Sequence, residues 1–158
     1  MIIIITGKID AGKTTRLLSL YDHLKTGDGF ALKKIITNGI HIGQEIYHLS
    51  TGQQKIFSLK KNYLPPLWDE IYNFGDFSFS AAGFDFSHKI LLKALSSGVK
   101  PIYIDEIGPL ELLGKGFSDA LKLVVKNQTD LYLTVRDYCL TEVIKEFNIN
   151  RYEVIEVR

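Results

Sequence analysis

An apolar run, Met1–Ile5, leads through Thr6 into Gly7-Lys8-Ile9-Asp10-Ala11-Gly12-Lys13-Thr14, with Thr15 next. The spacing G-x-x-x-x-G-K-[ST] constrains this chain more than any other stretch, because it needs a buried strand that turns sharply into a helix. Gly7 and Gly12 let the backbone bend around a phosphate chain without Cβ clashes, so that successive N–H groups point inward. Lys13 is positioned to reach β- and γ-phosphates, and Thr14 to put its hydroxyl on Mg²⁺. A helix starting near Thr14 adds the positive end of its dipole to the same anion site. A glycine-rich turn without a ligand would also match the letters, but the strand before it and the helix after it favour a nucleotide.

A second segment converges on the first. Pro101-Ile-Tyr-Ile-Asp105-Glu106-Ile107-Gly108-Pro109 is a short apolar run that ends in two carboxylates and a turn. Strands buried on both faces of a parallel sheet read as continuous apolar runs, so the acidic pair belongs at a strand's C-terminal end. Ligands of open α/β sheets bind at that edge, where the phosphate loop also lies. Asp105 fits a Walker-B role, holding Mg²⁺ directly or through water. Glu106 is a candidate catalytic carboxylate, aimed at a water in line with the γ-phosphate, with Lys13 stabilising charge on the phosphates. Standing alone, Asp-Glu would read as a solvated loop start; beside a phosphate loop it reads as catalysis.

With 158 residues, the expectation is a single domain spanning 1–158 with a full central sheet. Lys and Arg number 19 against 18 Asp and Glu, so no bulk field recruits nucleic acid or anionic lipid. The lone Cys139 excludes an intramolecular disulfide and a cysteine-based zinc cluster, and reads as a small packed residue. The isoleucine run is too short for a signal peptide or a membrane span, which points to a soluble, cytoplasmic protein. Arginine occurs only at positions 16, 136, 151 and 158. Small-metabolite kinases clamp the transferring phosphoryl group with several lid arginines, and this chain has little with which to build such a lid. Arg136, after the acidic pair, either neutralises the γ-phosphate or forms a surface salt bridge.

Periodicity predicts a helix over Thr14–Lys25, a strand over Phe30–Ile36, and a hairpin from Ile46–Ser50 and Lys55–Leu59 around Thr51-Gly52. A half-buried strand is expected at Asp76–Ser80, helices at Phe84–Leu95 and from Phe117 to Val125, and strands at Leu131–Val135 and Tyr152–Val157. Leu140, Val143, Ile144 and Phe147 mark one more helix. Together these give a three-layer α/β domain with a mostly parallel central sheet and a β-hairpin insertion. Eight aromatics fall between Tyr63 and Phe86; they either pack beneath the insertion or offer a ring to a nucleotide base or a partner.

With both motifs in hand, the sequence resembles the nucleoside-triphosphatase family first described from thermophiles, also called cancer-related nucleoside-triphosphatases. The likeness covers nearly the whole chain and rests on Gly7–Thr15, Gly43-x-x-Ile46 leading to Thr51-Gly52, Gly75-x-Phe77, and above all Asp105-Glu-Ile-Gly-Pro-Leu-Glu-Leu112. The resemblance implies a RecA-like P-loop fold, a catalytic glutamate after the Walker-B aspartate, and slow hydrolysis of ATP, GTP and other nucleoside triphosphates. Gly108 belongs to that signature. Glu111 also belongs to it, although capping of the next helix would equally explain a glutamate after Pro109. Two departures stand out. Ile9 and Asp10 replace the Pro and Gly usual in the loop; Asp tolerates left-handed backbone angles, yet its charge near the γ-phosphate opposes binding. His41-Ile-Gly43-Gln44 stands where relatives carry Arg-x-Gly-Phe, so any phosphate contact made by that arginine is open here.

The leading expectation is therefore an Mg²⁺-dependent nucleoside triphosphatase. A phosphotransferase with an unrecognised acceptor is the alternative that arginine scarcity opposes. A nucleotide-gated switch is another: Asp105-x-x-Gly108 suits a GTPase switch, but no Asn-Lys-x-Asp follows a strand to read guanine.

Overall fold

The computed structural model describes all of Met1–Arg158. Nine strands form one sheet, in the order β5-β6-β4-β3-β2-β7-β8-β1-β9. They are β1 (Ile2–Gly7), β2 (Asp28–Thr37), β3 (Ile40–His48), β4 (Gln54–Lys60), β5 (Glu70–Phe74), β6 (Phe77–Ser80), β7 (Ile102–Ile107), β8 (Leu131–Arg136) and β9 (Tyr152–Glu156). The helices are α1 (Lys13–Leu24), α2 (Ala81–Ser96), α3 (Pro109–Leu112), α4 (Ser118–Lys126) and α5 (Leu140–Glu146).

Strands β2, β7, β8, β1 and β9 are parallel neighbours, while β2-β3, β3-β4, β4-β6 and β6-β5 are antiparallel. The parallel half carries the motifs. In it, successive side chains point to opposite faces, and both faces are covered. Ile4, Phe30, Leu32, Ile102 and Ile104 join Ile90 and Leu91 of α2 with Leu121 and Val124 of α4 in the larger core. Their chain neighbours Ile5, Ala31 and Tyr103 join Leu17 of α1 in the smaller one. That alternation produces the expected helix-sheet-helix layering.

The expected hairpin between β3 and β4 is present, and it forms part of a larger antiparallel wing. Asn38 and Gly39, with φ of 50° and 75°, turn β2 into β3. An Asn-Gly pair in that conformation matches the right-handed twist of two paired strands. Half of the aromatic-rich stretch packs in the core: Phe84 meets Phe57 at 4.8 Å and Phe117 at 5.1 Å between ring centroids, with Phe79, Tyr72 and Phe86 alongside. Tyr63 and Phe74, by contrast, are 39% and 44% exposed.

Only three residue pairs, Asp28↔Ile102, Gly29↔Tyr103 and Phe30↔Ile104, join β2 to β7. Gly29 is needed there, since a Cβ on it would lie 2.0 Å from the Tyr103 carbonyl oxygen. Beyond this seam β2 and β7 part, and the gap between them opens toward the phosphate loop.

Candidate active site

The loop between β1 and α1 is shaped by two left-handed residues, Asp10 (φ 61°) and Gly12 (φ 98°). Ala11 N–H donates to the Lys8 carbonyl at 3.2 Å, which tightens the crown. Gly7 has a second reason to be glycine: a Cβ would come within 2.4 Å of the Val157 carbonyl oxygen, just beyond β9. Lys13 Nζ donates to the carbonyls of Gly7 (2.9 Å) and Lys8 (2.7 Å), so the ammonium lies along the inside of the loop. Burial lowers its pKa from the ordinary lysine value, while the carboxylates of Glu106 and Asp105 pull it back up.

Asp105 is fully buried, and both its oxygens are engaged. Oδ2 accepts from the Thr14 hydroxyl at 2.8 Å and from Leu32 N–H at 2.9 Å, and Oδ1 accepts from the Thr134 hydroxyl at 2.6 Å. One carboxylate thus ties α1, β2 and β8 to β7. Burial raises its pKa against the pull of those hydrogen bonds.

The register of β7 on β8 slips between Ile104 and Ile107, and Glu106 takes a φ of 59° there. A bulky residue in that conformation is strained, and such strain re-aims a side chain. Its N–H is caught by the Thr134 hydroxyl at 2.7 Å. Its Oε1 accepts from Gln44 Nε2 of β3 at 3.0 Å. Burial and the adjacent Asp105 charge raise the Glu106 pKa, partly offset by Gln44, Arg136 and Lys13.

Most of these groups border one cavity of about 410 Å³, lined by Asp10, Gly12, Lys13, Thr14, Thr15, Lys34, Gln44 and Glu106 among others. That is within the range of small-molecule sites. Gly7, Lys8, Ile9 and Ala11 face the other flank of the loop, where a groove of about 530 Å³ also takes in Asp137, Val157 and Arg158. Gly108 and Arg136 lie in a third niche, behind Glu106, with Phe57, Phe117 and Leu110. Arg136 forms no salt bridge; its Nη1 donates to the Tyr138 hydroxyl at 3.0 Å. Glu111 is a cap, as one sequence reading held: Oε2 accepts from Gly108 N–H at 2.9 Å and Oε1 from Phe117 N–H at 3.2 Å.

Gln44, Lys34 and Thr134 were not among the expected site residues. Lys34 and Gln44 are direct partners across β2 and β3, and their arrival at the loop depends on how that hairpin docks. Thr134 did carry a signal, being the one aliphatic hydroxyl in the run Leu131–Val135.

No group of three or more His, Cys, Asp or Glu side chains is arranged to hold a metal ion by itself. The donors here suit an ion that also binds phosphate. The Thr14 hydroxyl donates its hydrogen bond to Asp105, which leaves the oxygen lone pairs free for a hard cation.

The sequence profile of a family described as NTPase matches residues 2–158. The chain belongs to the NTPase family. As an NTPase it is an enzyme that acts on nucleoside triphosphates. It is similar to the nucleoside-triphosphatase THEP1 of Archaeoglobus fulgidus, at 24% identity over 155 residues, covering 94% of this chain and 87% of that one. Nucleoside-triphosphatase THEP1 of Thermotoga sp. strain RQ2 is 28% identical over 160 residues, covering 99% and 86%. The crystal structure of THEP1 from the hyperthermophile Aquifex aeolicus superposes with a TM-score of 0.78 at 27% identity, covering 99% of this NTPase and 90% of that chain. The solution structure of a human cancer-related nucleoside triphosphatase shares the fold, with a TM-score of 0.68 at 22% identity.

Proposed function

We propose that this NTPase hydrolyses nucleoside 5′-triphosphates, ATP and GTP among them, to the diphosphate and phosphate, slowly and with Mg²⁺. The observation that carries the reading is the buried line of contacts Thr14–Asp105–Thr134–Glu106, whose two ends, Thr14 and Glu106, both border the loop cavity. It links the hydroxyl that would hold the metal to the candidate base. In this reading the whole chain works as one domain, since a single sheet runs from β1 to β9.

Bound Mg²⁺ would supply charge neutralisation for the phosphate oxygens. Thr14 Oγ1 would hold it, with Asp105 acting through that hydroxyl rather than by direct contact. The loop N–H groups and Lys13 bind the phosphate chain and stabilise the charge that develops on it. Glu106 has one oxygen occupied by Gln44, which leaves Oε2 to orient a water and take its proton. Burial and the Asp105 charge raise its basicity, as a general base at neutral pH requires. Slowness follows from the phosphoryl-stabilising cations: no arginine reaches the loop cavity, and the one near Glu106 is turned onto Tyr138.

Phosphate release from ATP, GTP, CTP and UTP, with and without Mg²⁺, tests the proposal. Comparable rates that require the metal are expected, with ATP and GTP within about tenfold in kcat/KM because no base-reading pattern exists. A thousandfold preference for one base, or equal rates without metal, overturns it.

A further inference from the structure

Few guanidinium groups are available to clamp a phosphoryl group, yet cations face the loop from another quarter. Lys34 of β2 lines the cavity with Lys13, Thr14 and Glu106. Its ammonium crosses the mouth of the loop to pair with Asp10. The side chains are 45% and 65% exposed, respectively, and a solvated pair of this kind contributes little to stability. Its importance lies in where it stands. Asp10 occupies the crown of the phosphate loop, and a carboxylate there repels a triphosphate unless something covers it. The hydrogen bond from Lys34 lowers its pKa more than any other group does, with Lys34, His41 and Lys13 adding their charge. Lys34 sits directly across from Gln44 in the β2–β3 register, and Gln44 holds Glu106. The lysine is therefore the cross-strand partner of the residue that holds the candidate base, and both line the same cavity.

We infer that Lys34 is a phosphate ligand, transferred from its pairing with Asp10 to the terminal phosphate when a nucleoside triphosphate arrives. The transfer exchanges one anionic oxygen for a more highly charged group, and the Asp10 left behind is already largely solvated. In effect the β2–β3 hairpin supplies, with lysine, part of the clamp that arginines would supply. The inference rests on the loop being the nucleotide site.

Equilibrium dialysis of Mg²⁺–ATP and Mg²⁺–ADP separates a ligand from a mere counter-ion. The proteins needed are the wild type, Asp10→Asn, Lys34→Gln, the double variant and Lys13→Ala, with circular dichroism to confirm folding. Asp10→Asn is expected to bind ATP about threefold more tightly, having lost the repelling charge. Introducing Lys34→Gln into that background should weaken ATP about tenfold and ADP less than about threefold. If the double variant binds ATP as tightly as Asp10→Asn, Lys34 serves only to neutralise Asp10 and the inference fails. Equal weakening of ATP and ADP would also refute it. If Lys13→Ala binds ATP like the wild type, the nucleotide reading itself falls, a result distinct from either of these.

Discussion

Glu111 offers the most quantitative test of how the segment after the acidic pair is built. Its side chain is 4% exposed, and it satisfies two backbone N–H groups without a salt-bridge partner. Burial raises its pKa from the ordinary 4.5 to about 7, against the two N–H donors and with the Glu106 charge adding to the rise. The folded-state pKa therefore exceeds the unfolded one, and between the two values the folded protein holds the extra proton. Stability must fall as pH rises through that window and level off above it. At about 1.36 kcal/mol per pH unit of separation, ionising Glu111 costs the fold roughly 3 kcal/mol. Glu111→Gln keeps the shape and cannot titrate. Urea unfolding of both proteins, from about pH 4 to about pH 9, isolates the effect as a difference, because Asp105 and Glu106 titrate in each. Relative to Glu111→Gln, the wild type should lose roughly 3 kcal/mol across the range. A difference flat to within about 0.5 kcal/mol would refute the reasoning and leave the carboxylate ionised throughout.

Glu106→Gln should reduce single-turnover hydrolysis about 10²–10⁴-fold while Mg²⁺–ATP still binds; wild-type turnover would mean the base lies elsewhere. Lys13→Ala should abolish measurable ATP binding in dialysis with the unfolding midpoint nearly unchanged, since its ammonium contacts only loop carbonyls and opens no core cavity. Thr134→Val removes the donor to Asp105 and the acceptor for Glu106 N–H together. It should cost about 2–4 kcal/mol in urea unfolding and lower turnover as well. A stability loss with unchanged turnover would show that Thr134 does not hold Glu106 in place.

The parts of the site that could be read from sequence are those carried within one segment. Gly7–Thr14 and Asp105-Glu106 announce themselves because a phosphate loop and a strand-end carboxylate pair each need fixed local spacing. The helices α1, α2, α4 and α5 were legible from their apolar period for the same local reason. Lys34 and Gln44 were not, because their places beside the loop arise from a cross-strand register joined to the parallel strands by only three residue pairs. The β2–β3 turn did have a readable sign in Asn38-Gly39, the strongest short hairpin signal there is. Strand β5 had none: Glu70–Phe74 is an edge strand with Glu70, Ile71, Asn73 and Phe74 all exposed, so burial imposes no alternation on it. The aromatic-rich segment was ambiguous because packing and stacking call for the same side chains. Packing against Phe57 and Phe117 decides Phe79 and Phe84 for the core, while Tyr63 and Phe74 stay exposed.

The grip of Lys13 on the carbonyls of Gly7 and Lys8 has a bearing on product release. An arriving anion does not meet a bare ammonium; it must outbid two carbonyl oxygens already at hydrogen-bond distance. A triphosphate bound as proposed would engage the loop N–H groups and the lysine at once, as one multivalent guest. Orthophosphate, once cut loose, brings no such tether, and the lysine can return to its own backbone. On the proposed reading the loop's own carbonyls compete with every anion for Lys13, and that competition tells most against the short fragment.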